Sequence, residues 1–473
     1  MIEKLVATAV RIPILVLAGV LVLLVAGGLS YRQLNVEAYP NPVPPMIEVI
    51  AQPDGLSAEE VEKYVTVPLE VGLAGLPGLD HVRSQSLFGL SDVKIYFKWG
   101  TDYDKARQEV LNRLQFVQLP PGVQTSLSPW SAIGEIFRYT LEGPGYSLRE
   151  LKTAQEWILE RQWRQVPGVS GVVSFGGETK EYHVSVDPVR MRAQGVGLVQ
   201  IMGSLSAANQ NVGGQRLTLG EQSYDVRGVG LLQNVADIEK VVILEKNGTP
   251  VRVRDVAVVS VGSAPRLGTV GKDGEDDVIQ GTVNMRHDAE TAATLQGIRD
   301  RLELIEKNRL LPPGMRVRPY YNRGDLVKVT THTVVENLVL GMVLVAAVLF
   351  VFLGNVRAAT ITALVIPLSL CVAFCGLIAT RTSANLISLG AIDFGIVVHS
   401  AVIMLENVFQ KLGRGGTGTV TERVLAAARE VATPMAFSTA IIGVSLLPLF
   451  LMGGVSGVIF APMAHTYAFA IGG

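Results

Sequence analysis

Residues 384–412 read ANLISLGAIDFGIVVHSAVIMLENVFQKL, and the fold turns on how this stretch is placed. It is long enough to cross a bilayer as a helix, for which about 20 apolar residues suffice. Yet it carries Asp393, His399 and Glu406 at depth. A charged side chain near the bilayer centre costs roughly 2.5–3.5 kcal/mol on insertion scales, so ionisable groups there mark candidate ion or proton relays. At about 100° per residue, His399 and Glu406 lie two turns apart on one helical face. Asp393 sits about a third of a turn round, below them. The competing reading is a buried soluble helix with satisfied polar residues, and the apolar runs around it weigh against that.

Those runs occupy 337–353, 358–379, 386–409 and 431–452. Another begins near Val458 with about 15 residues before Gly473, too few to cross comfortably, and the sequence reads as a piece of something longer. At the other end, MIEKLVATAVRIP leads into an uncharged run from Ile12 to Leu29. That run is longer than a signal-peptide core, and Tyr31-Arg32-Gln33 is a poor small-residue cleavage site, so an uncleaved anchor is expected. Lys and Arg in short loops give the orientation. Lys4, Arg11, Arg357, Lys411, Arg414, Arg423 and Arg429 fall on one side, and Arg381 on the other. The first side is therefore cytoplasmic. Residues 31–335 are placed outside, which is periplasmic in a diderm bacterium.

Charges crowd into that outer region. The 473 residues are 48% hydrophobic with a formal net charge of −1 and no basic stripe, so nothing argues for nucleic acid. Cys371 and Cys375 share one apolar run, and the polar region has no cysteine, hence no disulfide framework or cysteine metal site there. His81, His183, His287, His332 and His465 are scattered without a zinc spacing. Met342, Met404, Met435, Met452 and Met463 could hold soft copper or silver, but they lie in apolar runs, where filling a core is the commoner use. Metal ligands are left unassigned and no cofactor is expected. With no Walker A motif or nucleophile elbow, the chain does not read as an enzyme, and an ion gradient is the expected energy source.

The outer region reads as β-α-β-β-α-β twice. In the first pass 46–52 is a strand and 57–76 a helix opened by the capping box Ser57-x-x-Glu60. Strands 82–87 and 92–99 flank Phe88-Gly89-Leu90, a helix spans 102–117, and 123–128 closes the sheet. In the second pass 136–142 is a strand, 147–166 a helix with the capping box Ser147-x-x-Glu150, and 171–175 a strand. The unit pauses there and resumes with strand 278–286, helix 290–308 and strand 315–321. Two split βαβ units in tandem, the second interrupted, are a specific arrangement. The interruption holds two hairpins, one about Gly213-Gly214 to Gly220 and one about Asn247-Gly248, a strong hairpin dipeptide. Asn247-Gly248-Thr249 also matches a glycosylation sequon, which the hairpin explains better.

One anchor, an external part of two such units, then a bundle with acids in its fourth helix resembles the resistance–nodulation–division (RND) efflux permeases. The resemblance covers the whole chain as the N-terminal half of such a protein. It rests on GLSAEEVEKYVTVPLE (55–70), GLPGLDHVRSQSLFGLSDVKIYF (75–97), AANQNVGG (207–214) and IDFGIVVHSAVIMLEN (392–407). Asp393-Phe394-Gly395 with Leu405-Glu406-Asn407 is similar to the heavy-metal branch, the cobalt–zinc–cadmium and copper–silver pumps. The resemblance implies an α-helical transmembrane bundle plus an α+β periplasmic region. Two ferredoxin-like βαββαβ porter units are expected, the second interrupted by a docking subdomain. The implied division is a first transmembrane helix at 1–35 and porter subdomain 1 at 36–129. Porter subdomain 2 follows at 130–187 and 265–323, the docking subdomain at 188–264, and helices 2–5 with a truncated helix 6 at 324–473. It further implies a proton antiporter of the inner membrane, multi-pass and homotrimeric, working with a periplasmic adaptor, an outer-membrane channel and the missing C-terminal half. Gly213, Gly214, Leu219, Gly220 and Tyr224 would form the hairpin that reaches a neighbouring subunit; the alternative is a plain surface hairpin.

One departure is central. The family's fourth helix usually has an aspartate, its principal proton carrier, where this chain has His399, and Gly or Asp where it has Ser400. His399 could carry the proton itself, paired with Asp393 or Glu406. Those acids could carry it with His399 as a hydrogen-bonding spectator, or the relay could be broken, leaving a non-pumping scaffold. A drug-exporting permease is a further alternative, from which the Asp393 motif turns the reading away.

Overall fold

The structure is a computed structural model that describes residues 2–37, 41–53, 55–129, 134–266, 268–274, 277–287, 289–380, 382–390, 394–414 and 419–473. It begins with two helices where the sequence suggested one: α1 (Ile2–Arg11) and α2 (Pro13–Gln33). The break falls at Ile12, at φ −126° and ψ 71°. Proline disfavours the helical conformation in the residue before it, while its fixed φ suits the first position of the next helix.

After the short strand β1 (Val36–Glu37), the first external unit follows: β2 (Met46–Ala51), then α3 (Ala58–Val61), a π-helical turn (Glu62–Thr66) and α4 (Val67–Leu73) in one rod. Next come β3 (Leu79–Leu87), β4 (Leu90–Phe97), α5 (Tyr103–Leu114) and β5 (Thr125–Leu127). The sheet order is β3-β4-β2-β5, antiparallel throughout. Strand β4 alternates as its sequence demands, burying Val93, Ile95 and Phe97 against Val65, Leu69 and Val110 of the helices.

The second unit opens with β6 (Glu135–Glu142), α6 (Leu148–Ala154), a second π-helical turn (Gln155–Leu159), α7 (Glu160–Trp163) and β7 (Val169–Phe175). The chain leaves by β8 (Lys180–Val186) into α8 (Pro188–Gln194), α9 (Leu198–Ala208), β9 (Val212–Leu219) and β10 (Gln222–Gly228). It continues through α10 (Val235–Lys240), β11 (Val242–Lys246), β12 (Thr249–Arg252) and α11 (Val253–Val256), and returns by β13 (Ala257–Ser263). Strands β8 and β13 pair antiparallel as a two-stranded stem. The unit closes with β14 (Ile279–Met285), α12 (Thr291–Lys307) and β15 (Arg316–Asn322), in the order β15-β6-β14-β7. Its strands stand in the same sequence as those of the first unit.

The two π turns aim one buried polar side chain each at the neighbouring sheet. Thr66 is hydrogen-bonded to Ser86 and Ser91, both at 2.8 Å. In the second unit the Trp163 indole N–H donates to the Tyr139 hydroxyl at 2.8 Å, which donates to Gln155 at 2.8 Å. Burial pushes the Tyr139 phenol upward, so it stays a donor.

The remaining elements are α13 (Arg323–Leu353), α14 (Val356–Ala379), β16 (Ala384–Asn385), α15 (Leu386–Gly390), α16 (Phe394–Gly413), α17 (Val420–Ser445), α18 (Leu447–Phe450) and α19 (Gly454–Gly472). Among the described residues, five helices are long and apolar enough to cross a membrane: Pro13–Gln33, Arg323–Phe352, Val356–Ala379, Val420–Phe450 and Gly454–Gly472. The last corrects the sequence reading, because it has 19 residues and is not too short. Gly453 and Gly454, the latter at φ +64°, let it start before Val458. Within the expected 386–409 span the described helices are α15 and α16, and residues 391–393 lie outside the described residues. Helix α16 carries His399, Glu406, Asn407, Gln410 and Lys411 along it.

Small residues bring the bundle together. A Cβ on Gly27 of α2 would overlap Cys371 of α14, and one on Gly376 of α14 would overlap the Phe469 ring of α19. Such close backbone approach is how apolar helices associate where the hydrophobic effect is absent.

Candidate functional site

Helix α16 presents two different sides. Val398 is buried, and with Val397 and Val402 it packs into a core that includes Ile366, Leu370 and Phe374 of α14. A polar seam joins α16 to α17. The hydroxyls of Ser400 and Thr439 are 3.2 Å apart, the Asn407 amide donates to the Ala427 carbonyl at 2.8 Å, and Lys411 pairs with Glu430.

His399 and Glu406 lie outside this seam, and both are exposed. Glu406 accepts a hydrogen bond from Gln410 at 3.4 Å, and His399 has no hydrogen-bond or ion-pair partner among the described residues. Seven residues of helix separate them by about 10 Å along the axis. The two groups therefore share a face, as the spacing predicts, but the helix does not bring them into contact. Asp393 lies outside the described residues. Chemically, the face offers one group that is neutral when empty and one that is anionic when empty.

A second polar site was not legible in the sequence. Strands β1 and β16 pair in parallel, Val36 with Ala384 and Glu37 with Asn385, and the Ala384 N–H donates to the Asn35 carbonyl at 3.0 Å. Asn385 and Ser388 cap one another: the backbone N–H of each donates to the other's side chain at 2.9 Å. The Glu37 carboxylate accepts from the Thr291 hydroxyl at 2.9 Å.

Between the two external units lies a cavity of about 500 Å³, lined by Asp102, Tyr103, Arg107, Met285, Arg286 and His287 among others. The Tyr103 and His287 rings stack across it with centroids 4.9 Å apart, and burial pushes the Tyr103 phenol upward. Among the described residues, no group of three or more His, Cys, Asp or Glu side chains could hold a metal ion.

The expected hairpin is β9–β10, turning at Gly220, whose φ is +65°. Gly214 sits where a Cβ would strike Val226 of the facing strand, so glycine there allows the strands to close. Leu219 and Tyr224 are exposed with Leu217 and Val226. An isolated two-stranded ribbon is marginal in water, and this one displays apolar side chains along its length.

The sequence model of the AcrB/AcrD/AcrF family matches residues 5–473. Protein HelA of Legionella pneumophila is 39% identical, over 100% of this chain and 46% of its own length. The cobalt-zinc-cadmium resistance protein CzcA of Cupriavidus metallidurans is 36% identical with the same coverage. The cation efflux system protein CusA of Escherichia coli is 33% identical, over 100% of this chain and 47% of its own. Among solved structures, a heavy metal efflux pump in its first crystal form superposes with a TM-score of 0.90 at 37% identity, covering 100% of this chain and 47% of that one. The chain thus spans about half the length of the curated relatives it matches.

Proposed function

The chain belongs to the AcrB/AcrD/AcrF family, and from that premise we propose that it forms part of an inner-membrane permease that exports heavy-metal cations in exchange for protons. One observation carries the reading: α16, packed against α14 and α17, holds His399 and Glu406 on one exposed face. Intramembrane ionisable groups are costly and mark proton pathways. Kinship with proteins named for cobalt, zinc and cadmium resistance or for cation efflux supports metal cations as cargo.

On this reading the two four-stranded units are ferredoxin-like porter subdomains, which their shared strand order supports. The inserted part, 188–264, is a docking subdomain carried on the β8–β13 stem. The chain assembles as a homotrimer with a periplasmic adaptor and an outer-membrane channel. Exposed Leu219 and Tyr224 on β9–β10 support a subunit contact there. Cutting back residues 213–224 should then leave monomers in detergent, and intact trimers would remove the hairpin from that role. The cavity lined by Tyr103 and His287 lies between the units, with no cargo assigned to it.

The test of cargo is a susceptibility panel on the complete gene product in an efflux-deficient host. Zinc, cobalt, cadmium, nickel, copper and silver are compared with dyes and detergents. Protection against at least one metal is expected. Protection against dyes and detergents alone would assign the protein to the drug-exporting permeases instead.

A further inference from the structure

We propose that Glu37 is a positioning residue that couples the external units to the relay helix. The proposal rests on the reading of α16 as a proton relay. Proton loading on α16 can do work outside the membrane through packed and hydrogen-bonded elements that join the two regions, and the structure contains such a link.

Its membrane end is the head of the relay segment. Ala384, Asn385 and Ser388 are 0%, 1% and 0% exposed, so the reciprocal cap between Asn385 and Ser388 is shielded from water. A third bond, from the Ser388 hydroxyl to the Asn385 carbonyl at 3.1 Å, closes the box. Helix α15 starts from this box, and its Leu389 is buried in the same core as Val398 of α16, so a shift of β16 reaches the helix of His399 through that packing.

Its external end is the head of α12. Thr291 is the first residue of that helix and is fully buried. One and two turns on, Leu295 and Ile298 sit in the core of the second external unit. Moving that core therefore moves the Thr291 hydroxyl.

Glu37 joins the two ends. Its backbone lies in the ladder against Asn385, and its carboxylate accepts from Thr291. Leu34, just before β1, is buried with Val334 of α13 and Phe374 and Leu377 of α14, so the strand is anchored on the bundle and does not swing with the external unit alone. Two residues of strand and one side-chain bond thus link a porter core to the relay helix.

The test uses the complete permease in proteoliposomes, with Zn²⁺ efflux and proton flux followed on the same vesicles. Glu37→Ala and Thr291→Val remove the bond from either side, while Glu37→Gln keeps an acceptor. The first two should raise the protons moved per Zn²⁺ by about tenfold, as Zn²⁺ flux falls and proton flux persists. Glu37→Gln should stay within about threefold of wild type. If Glu37→Ala fails to reach the membrane, Thr291→Val carries the measurement alone. An unchanged ratio in the bond-breaking variants would overturn the proposal, and so would equal loss of both fluxes in a variant with an unaltered unfolding temperature. A wild-type protein that moves Zn²⁺ without protons would overturn the relay reading itself, and this proposal with it.

Discussion

His399 reverses the usual charge logic of an intramembrane carrier. An aspartate is anionic when empty and neutral when loaded, whereas a histidine is neutral when empty and cationic when loaded, and it titrates near neutral pH. Its exposed position leaves both ring nitrogens without a partner among the described residues, and Glu406 is too far along the helix to share its proton directly. If His399 is the carrier, His399→Gln keeps hydrogen bonding but loses titration between about pH 5 and 8, and metal-coupled proton flux should fall by about tenfold or more. His399→Asp should keep some activity with a shifted pH profile. Proteoliposome flux across that pH range is the check: wild-type flux and an unchanged optimum in His399→Gln would leave Asp393 and Glu406 as the relay. A second expectation concerns stability. Tyr139→Phe strips the shared partner from the Trp163 N–H and the Gln155 carbonyl in the second unit's core. Leaving buried groups unpaired costs about 1–3 kcal/mol, readable as a lower unfolding temperature of the detergent-solubilised protein.

At the scale of elements, what was legible followed from local chemistry. The boxes Ser57/Glu60 and Ser147/Glu150 close both ways as their spacing predicts. Asn247 and Gly248 turn with φ of 52° and 76°, the left-handed pair that a tight hairpin requires. Strand β4 alternates because one face meets helices. The β8–β13 stem has no local signature, because its two strands lie on either side of a long insert. The β1–β16 ladder has two residues a side, too short for any period, and its pairing is decided by the bundle alone. The π turns have no residue signature either. The boxes also set a pH dependence. The Glu60 carboxyl is held below its ordinary value of 4.5 by the Ser57 backbone N–H and then its hydroxyl, and Glu150 likewise by Ser147. Lys272 does the same for Glu142. A folded value below the unfolded one means stability that is fully present above about pH 4.5 and is lost as pH falls through the folded values. Unfolding temperatures should therefore drop on acidification below about pH 4.5, and Glu150→Gln should make that drop shallower. An identical acid profile in Glu150→Gln would remove the box from the account.

At the scale of the whole molecule, the external sheets bury their own cores while the bundle leaves His399 and Glu406 of α16 exposed. The Tyr139–Trp163 core and the Val49–Ile95 core are closed by residues of this chain. His399 and Glu406 are exposed, and the chain covers 46% of the length of CzcA. Alternating access in transporters built from repeats works by rocking one repeat against another around a shared site, and a relay face needs an opposing wall to keep its charges from lipid. We therefore expect residues 1–473 alone to insert and fold their external units but not to transport. Expressed in a metal-sensitive, efflux-deficient host, they should give no resistance, whereas the complete gene product should restore growth on at least one metal. Protease-resistant external units in the same membranes would separate a folded, inactive chain from an unfolded one. Resistance from residues 1–473 equal to that of the complete protein would mean that the exposed face of α16 finds its wall in a second copy of this chain, and that half of the family's length suffices for the pump.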